Sequence, residues 1–242
     1  KQHGMPFEEI DFVSHEEPWI AYCKFFDMLR LCIRKSKQPG VPIGVIFADE
    51  GKTRLKRSEI YQDYKAQRTH PKNPKFAEYR MLLRNMINKL GWNMISIDGA
   101  EADDVIASII AQNCHRCFCK KKCDNCDCAS KYKKDFVIFS GDKDLQQLLA
   151  WDRVLIYRAP GVFVNRASFE KEYGIPATKY GIYKALIGDS SDNIKGVIGF
   201  GPAKAKVAIN KDTVAEDVWE LGGREAVDQF IFAYKLVKLD IH

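Results

Sequence analysis

The sequence predicts an α/β fold with a mostly parallel central sheet and helices on both faces. Two observations carry this. Four short runs, at 43–48, 92–97, 135–140 and 152–159, are apolar and rich in β-branched or aromatic residues, as buried strands are. Segments of helical periodicity alternate with them, and strands alternating with helices pair in parallel under a helical cover.

The elements follow in order. Residues 16–35 place Trp19, Tyr22, Cys23, Phe26, Leu29 and Ile33 on a helical stripe, so Cys23 and Cys32 are expected as core thiols. QPGVP at 38–42 is a turn, and IGVIFA is the first strand. A basic segment, 51–75, ends in the loop-like HPKNPK. An amphipathic helix over 76–90 leads into the second strand, Trp92 to Ile97. Ala102, Val105, Ile106, Ile109 and Ile110 then form the core-facing stripe of another helix. Beyond a cysteine cluster come DFVIFS, the third strand, and DRVLIYRA, the fourth. From 167 onward the pattern is helical with glycine-rich turns. The expected division is a core over 1–165, holding the basic segment and the cysteine insert, and a helical region over 166–242.

Length and composition set bounds. The 242 residues suit one larger domain, or a domain with an appendage. No run approaches 18 apolar residues, which argues against a membrane span, and KQHGMPFEEIDF lacks a signal-peptide apolar stretch. The net charge of +6 is uneven: Lys52 to Lys89 holds eleven Lys or Arg against three Asp or Glu, leaving the rest slightly acidic. A phosphate-facing basic element beside an acidic site fits that asymmetry.

The acids follow the strands. IGVIFA runs into Asp49 and Glu50, NMISI into Asp98, Glu101, Asp103 and Asp104, and DFVIFS into Asp142 and Asp144. LIGDSSDN adds Asp189 and Asp192. Ligand sites of open parallel sheets lie beyond the carboxyl ends of the strands, so these acids are expected to converge. First-turn side chains lean toward the helix N-terminus, where the helix dipole also favours anions. Such a cluster stays ionised in a cleft only with cations. Many hard oxygen ligands without histidine suit Mg²⁺ or Mn²⁺. Two such ions about 4 Å apart activate water and stabilise the leaving oxygen in phosphodiester hydrolysis.

Two stretches suit a nucleic acid. EIYQDYKAQRTHPKNPKF offers Tyr64, Lys65, Arg68, Lys72 and Lys75, cations for phosphates with a tyrosine able to stack on a base. In GVIGFGPAKAK, Gly196, Gly199 and Gly201 make a tight turn before Pro202, with Lys204 nearby. The amide groups at that helix start form a phosphate cradle, resembling the helix–hairpin–helix turn that grips duplex backbone without reading sequence.

CHRCFCKKKCDNCDC carries six of the eight cysteines. Two C-x-x-C pairs, Cys114 with Cys117 and Cys123 with Cys126, make a structural Zn²⁺ site the expectation, with Cys119, Cys128 or His115 as alternative ligands. A reducing, intracellular setting is expected, so a metal site is preferred to a disulfide framework.

FADEGKT with YKAQR, GAEADDVIA, FSGDKDLQQLL, LIGDSSDNIKGVIGFGPAKA and FIFAYKLVKLD span residues 43–240 in one order. On these stretches the chain resembles the 5′-nuclease, or flap endonuclease, family, which includes the 5′-nuclease domain of bacterial DNA polymerase I and free-standing phage enzymes. The resemblance implies a PIN-like core and a helical arch over 52–80, with Tyr64, Lys65 and Arg68 facing a threaded strand. It implies two divalent metals on Asp49, Glu101, Asp103, Asp104, Asp142, Asp144, Asp189 and Asp192. It implies duplex binding at 196–206, often with K⁺, and activity on DNA with a 5′ flap, fork or nick. A monomer with replication or repair partners, in a bacterial or phage-infected cytoplasm, is the matching expectation. The family also opens with a strand ending in Asp-Gly, whose Asp is a ligand; KQHGMPFEEIDF does not match it. The second departure is the cysteine insert, where most relatives have a short connection.

Two other readings compete. A DNA-binding module lacking that first Asp would bind flaps in EDTA and cut none. A single-strand ribonuclease of related PIN-type fold would have no use for the 196–206 duplex clamp.

Overall fold

A computed structural model describes residues 18–40, 42–53, 55–67, 75–113, 135–151, 153–158 and 161–241. Helix α1, Pro18–Ser36, precedes strand β1, Ile46–Glu50. After α2, Lys56–Ile60, and α3, Phe76–Lys89, comes β2, Asn93–Ile97, which pairs with β1 in parallel. Helix α4, Ala102–Asn113, follows. Strand β3, Phe136–Phe139, pairs in parallel with β4, Val154–Arg158, and β4 pairs antiparallel with β5, Val162–Val164. The four expected strands are present. Among the described residues no ladder joins β1–β2 to β3–β4–β5, so the single central sheet expected from sequence appears as two parts. Strand β5 was not expected, because a three-residue run after Gly161 is too short to show a period.

Helices α5, Arg166–Tyr173, α6, Tyr180–Ile187, α7, Pro202–Lys211, and α8, Val214–Val237, complete the chain. Asn165 caps α5 through a reciprocal box with Ser168, and Gly174 ends it in the left-handed region. Between α6 and α7 a small hairpin forms, with β6, Gly188–Asp189, antiparallel to β7, Ile194–Lys195. The α8 path breaks at Gly222 and Gly223.

One apolar cluster runs from Ile110 of α4 and Ile138 of β3 through Leu145, Ile156 and Phe169 to Phe200, Val218 and Leu239. Residues of α5–α8 pack on the same apolar interior as β3 and β4. Cys32 is buried as expected, whereas Cys23 is exposed, since its place on α1 lies just outside the face of Tyr22 and Leu29. No described helix is long and apolar enough to cross a membrane.

Candidate metal centre

The carboxyl ends of β1 and β3 open into a cavity of about 670 Å³. Seven carboxylates line it, Glu50, Glu101, Asp103, Asp142, Asp144, Asp189 and Asp192, against three lysines, Lys65, Lys143 and Lys184. Glu50 ends β1. Glu101 stands immediately before α4, and Asp103 lies in its first turn. Asp142 follows β3, and its Oδ1 accepts the Asp144 amide at 2.8 Å, which fixes the turn that presents Asp144. Asp189 caps the 3₁₀ turn Ser190–Asp192, accepting Ser191 N at 2.9 Å and Ser191 Oγ at 2.6 Å through Oδ1. Asp144, Asp189 and Asp192 each offer an oxygen, and these oxygens lie within 4.8 Å of one another.

The lysines enter from two walls. Lys65 has φ 58°, a left-handed conformation uncommon outside glycine, and its amide donates to the Asp192 carbonyl at 3.0 Å. That bond holds its ammonium against Glu101, 4.0 Å from Asp192 Oδ2. Lys184, from α6, donates to both Asp144 and Asp189.

Electrostatics mark the site as cation-poor. Burial, then the charges of Asp142, Glu101 and Asp144, push the Asp103 carboxyl up to about 7. No hydrogen bond to its carboxylate is found among the described residues. Burial also raises Asp144, more than Lys184 offsets. Burial acts upward on Asp189 too, but hydrogen bonds from Lys184 and Ser191 hold it below the usual carboxylate value. Burial acts against the Lys184 charge, yet Asp144 and Asp189 keep its ammonium above the ordinary lysine value.

Three expected site residues are engaged by partners within the protein. Asp104 is 2% exposed and turned from the cavity. Arg57 grips it at 2.6 and 2.7 Å, and the Asp240 amide adds a bond at 2.9 Å. Its oxygens are thus filled by donors of the fold. Asp49 pairs with Arg80 and Arg84 of α3; Arg80 also reaches Glu50 at 3.6 Å, and of the two acids Glu50 lines the cavity. Side chains alternate along a strand, so only one of two successive acids can face the site. Tyr64 is 7% exposed, and its hydroxyl donates to Glu101 at 3.0 Å and Asp192 at 3.1 Å, so its ring is closed to base stacking.

The expected arch shows α2, turns over 62–67 and the start of α3. Arg68 and Lys72 lie outside the described residues, as do Cys114, His115, Cys117, Cys119, Cys123, Cys126 and Cys128. Lys75 is exposed just before α3.

The glycine turn forms with distinct parts. A Cβ on Gly196 would overlap the Leu186 carbonyl, so Gly196 serves close backbone packing. Gly199 turns at φ 86°. Gly201 caps α7, Pro202 occupies its first turn, and nothing lies within 4 Å of a Cβ on Gly201. The Lys204 ammonium sits 4.8 Å over the Phe200 ring.

Sequence reasoning missed Arg57 and Lys184. Arg57 donates to Glu101 at 2.9 Å, to Leu236 O at 2.8 Å and to Lys238 O at 2.8 Å, besides Asp104. In the sequence it is one of several basic residues, and only burial singles it out. Lys184 did leave a signal: it is the one charge in the run YGIYKALIG.

Fold and site together define an α/β protein that gathers carboxylates at strand ends. The family model described as 5′-3′ exonuclease, N-terminal resolvase-like domain, matches residues 11–174, and the chain belongs to this family. It is 32% identical over 193 residues to the thermostable DNA polymerase I of Thermus aquaticus, covering 80% of this chain and 20% of that protein. It is 29% identical over 230 residues to the 5′-3′ exonuclease of Aquifex aeolicus, covering 92% of this chain and 72% of that one. The chain thus spans about one fifth of the polymerase relative's length. Among solved structures, the T5 5′-exonuclease with divalent zinc ions bound matches with a TM-score of 0.63 at 17% identity, over 92% of this chain and 79% of that chain. The bacteriophage T5 flap endonuclease with DNA and metal ions matches with the same TM-score at 18% identity, over 93% and 79% of the two chains.

Proposed function

We propose that this chain is a divalent-metal-dependent, structure-specific 5′ nuclease that hydrolyses DNA phosphodiesters at 5′ ends or flap junctions. The observation that carries the reading is the convergence of seven carboxylates from four segments on one cavity at the strand ends. The donor set fits Mg²⁺ or Mn²⁺: all oxygen, no histidine or cysteine. Asp103, half-buried beside three other acids and raised to about 7, further supports a site that takes up positive charge. Divalent ions bound here supply an activated water and charge stabilisation at the leaving oxygen.

The chain's own residues prepare the site. Asp144, Asp189 and Asp192 would hold one ion and Glu101, Asp103 and Asp142 another, with Glu50 at the rim. Tyr64 and Arg57 fix the Glu101 carboxylate from behind. Lys65, locked by its backbone bond to Asp192, orients the scissile phosphate. Arg68, Lys72 and Lys75 extend the basic path for the single strand. The turn from Gly199 to Pro202 would present the α7 amides to duplex phosphates, with Lys204 beside them, and would also take a K⁺ ion. The cysteine insert holds one structural Zn²⁺, which elemental analysis of the purified chain would detect at about one per chain. A monomer working with replication or repair proteins completes the reading. The metal ions and DNA of the T5 structures support the metal and DNA parts of this reading.

The test is cleavage of a 5′-labelled DNA flap with Mg²⁺, Mn²⁺ and EDTA, beside an RNA flap. Metal-dependent release of DNA near the junction supports the nuclease. Binding with no cleavage in any metal points to the DNA-binding module, and preference for RNA to the ribonuclease.

A further inference from the structure

We propose that Lys184 is a built-in counter-cation of Asp144, Asp189 and Asp192: it holds these acids together in the cation-free protein and gives up its place when a divalent ion binds. The inference rests on the metal reading above.

The geometry of Asp189 carries it. Oδ1 is taken by two donors of Ser191, its amide and its hydroxyl. Oδ2 is taken by Lys184. Both carboxylate oxygens are therefore engaged, and the one exchangeable partner is the lysine, since the Ser191 contacts are part of the turn itself. Oδ1 is filled by two donors, so an ion that takes Asp189 as a ligand binds at Oδ2 beside the ammonium and repels it. The same ammonium also occupies Asp144 Oδ1.

The need for such a cation is equally local. Three carboxylate oxygens within 4.8 Å repel when ionised, the more so in a partly buried site. Among the described residues, Lys184 is the only Lys or Arg paired with Asp144 or Asp189. Its side chain is 10% exposed, and a charge so buried is stable only with opposite charges around it. It reaches the acids from α6, whose other side chains are apolar or aromatic. Lysine suits a replaceable cation: its ammonium is a single point charge on a flexible stem, able to withdraw without unmaking the helix.

Two measurements on the whole chain test this. The first follows wild-type Lys184 by amine acylation and mass spectrometry, in EDTA and with saturating Mn²⁺. Slow acylation in EDTA and faster acylation with Mn²⁺ are expected; an unchanged rate overturns the proposal, and this readout stands even where a variant folds poorly. The second titrates Mn²⁺ into wild type, Lys184→Met and Lys184→Arg, counting free ion by electron paramagnetic resonance. Removing the competing charge should tighten one Mn²⁺ site of Lys184→Met by on the order of tenfold or more. The same variant should unfold at lower temperature in EDTA and recover with Mn²⁺, while Lys184→Arg keeps the EDTA midpoint. Equal Mn²⁺ affinity and equal EDTA midpoints for Lys184→Met and wild type overturn the proposal. Wild type that binds no Mn²⁺ overturns the metal reading with it, whereas normal Mn²⁺ binding with Lys184 unmoved overturns this inference alone.

Discussion

Replacing Arg57 by methionine removes the central cation of a buried network. Its guanidinium contacts Glu101, both oxygens of Asp104, and the carbonyls of Leu236 and Lys238. The side chains of Arg57, Glu101 and Asp104 are only 5%, 7% and 3% exposed. Burial opposes the Asp104 charge, but Arg57 holds that carboxyl below its usual value, and the Asp240 and Glu101 amides assist. Methionine fills most of the volume, so the cost is electrostatic. Removing one partner of a buried pair costs roughly 3–5 kcal/mol, because the other charge stays buried without compensation. With about 4 kcal/mol lost, a chain of this size should melt roughly 8–16 °C lower. Urea unfolding of wild type and Arg57→Met measures the difference directly. The double variant Arg57→Met/Asp104→Leu should regain at least half of the loss, since one buried charge is then gone. A loss below about 1 kcal/mol, in the range of exposed pairs, would refute the claim that this network ties the C-terminal segment to α4.

The remaining predictions concern the cavity and the turn. Asp103, raised to about 7, favours the cation-free fold while protonated, and that contribution fades as pH rises through about 7. In EDTA the unfolding midpoint should therefore fall as pH rises from the ordinary carboxylate range toward about 7 and level off above it, saturating Mn²⁺ should flatten the fall, and Mn²⁺ affinity should rise over the same interval; a pH-independent affinity would contradict this. Gly196→Ala should cost about 1–3 kcal/mol in urea unfolding, because its Cβ would meet the Leu186 carbonyl. Gly201→Ala, with open space around its Cβ, should stay within about 0.5 kcal/mol. Lys65→Ala should slow single-turnover flap cleavage while leaving Mn²⁺ binding at wild-type strength or tighter; weaker Mn²⁺ binding would count against its positioning role.

Local pattern reached far into this fold. The four strands were legible because each is a short apolar run between turn residues; β2 to β4 fall inside those runs, and β1 continues two residues past its own. The acids of the cavity were legible because they follow strands, and Glu101, Asp103, Asp142, Asp144, Asp189 and Asp192 meet there. What pattern does not encode is the partner each acid finds. Asp104 and Asp103 are adjacent in sequence, yet one faces Arg57 and the other the cavity, because one residue turns a helix face by about 100°. Asp49 and Glu50 differ by degree: Arg80 reaches both, at 3.6 Å from Glu50 Oε2, whereas Arg84 pairs with Asp49. Tyr64 read as a ring for stacking in a basic stretch, and only its burial under Glu101 and Asp192 shows a structural role. Such assignments depend on contacts far apart in sequence, 179 residues for Arg57 and Leu236.

The central claim is that the acids beyond β1 and β3 seat catalytic divalent ions. Anomalous diffraction at the manganese edge, from crystals of this chain grown with Mn²⁺, tests it most directly. Manganese bound by Asp144, Asp189 and Asp192, with a second ion beside Asp103 and Asp142, is the expected result. Manganese absent from this cavity at saturating concentration, or bound elsewhere on the surface, would contradict the account.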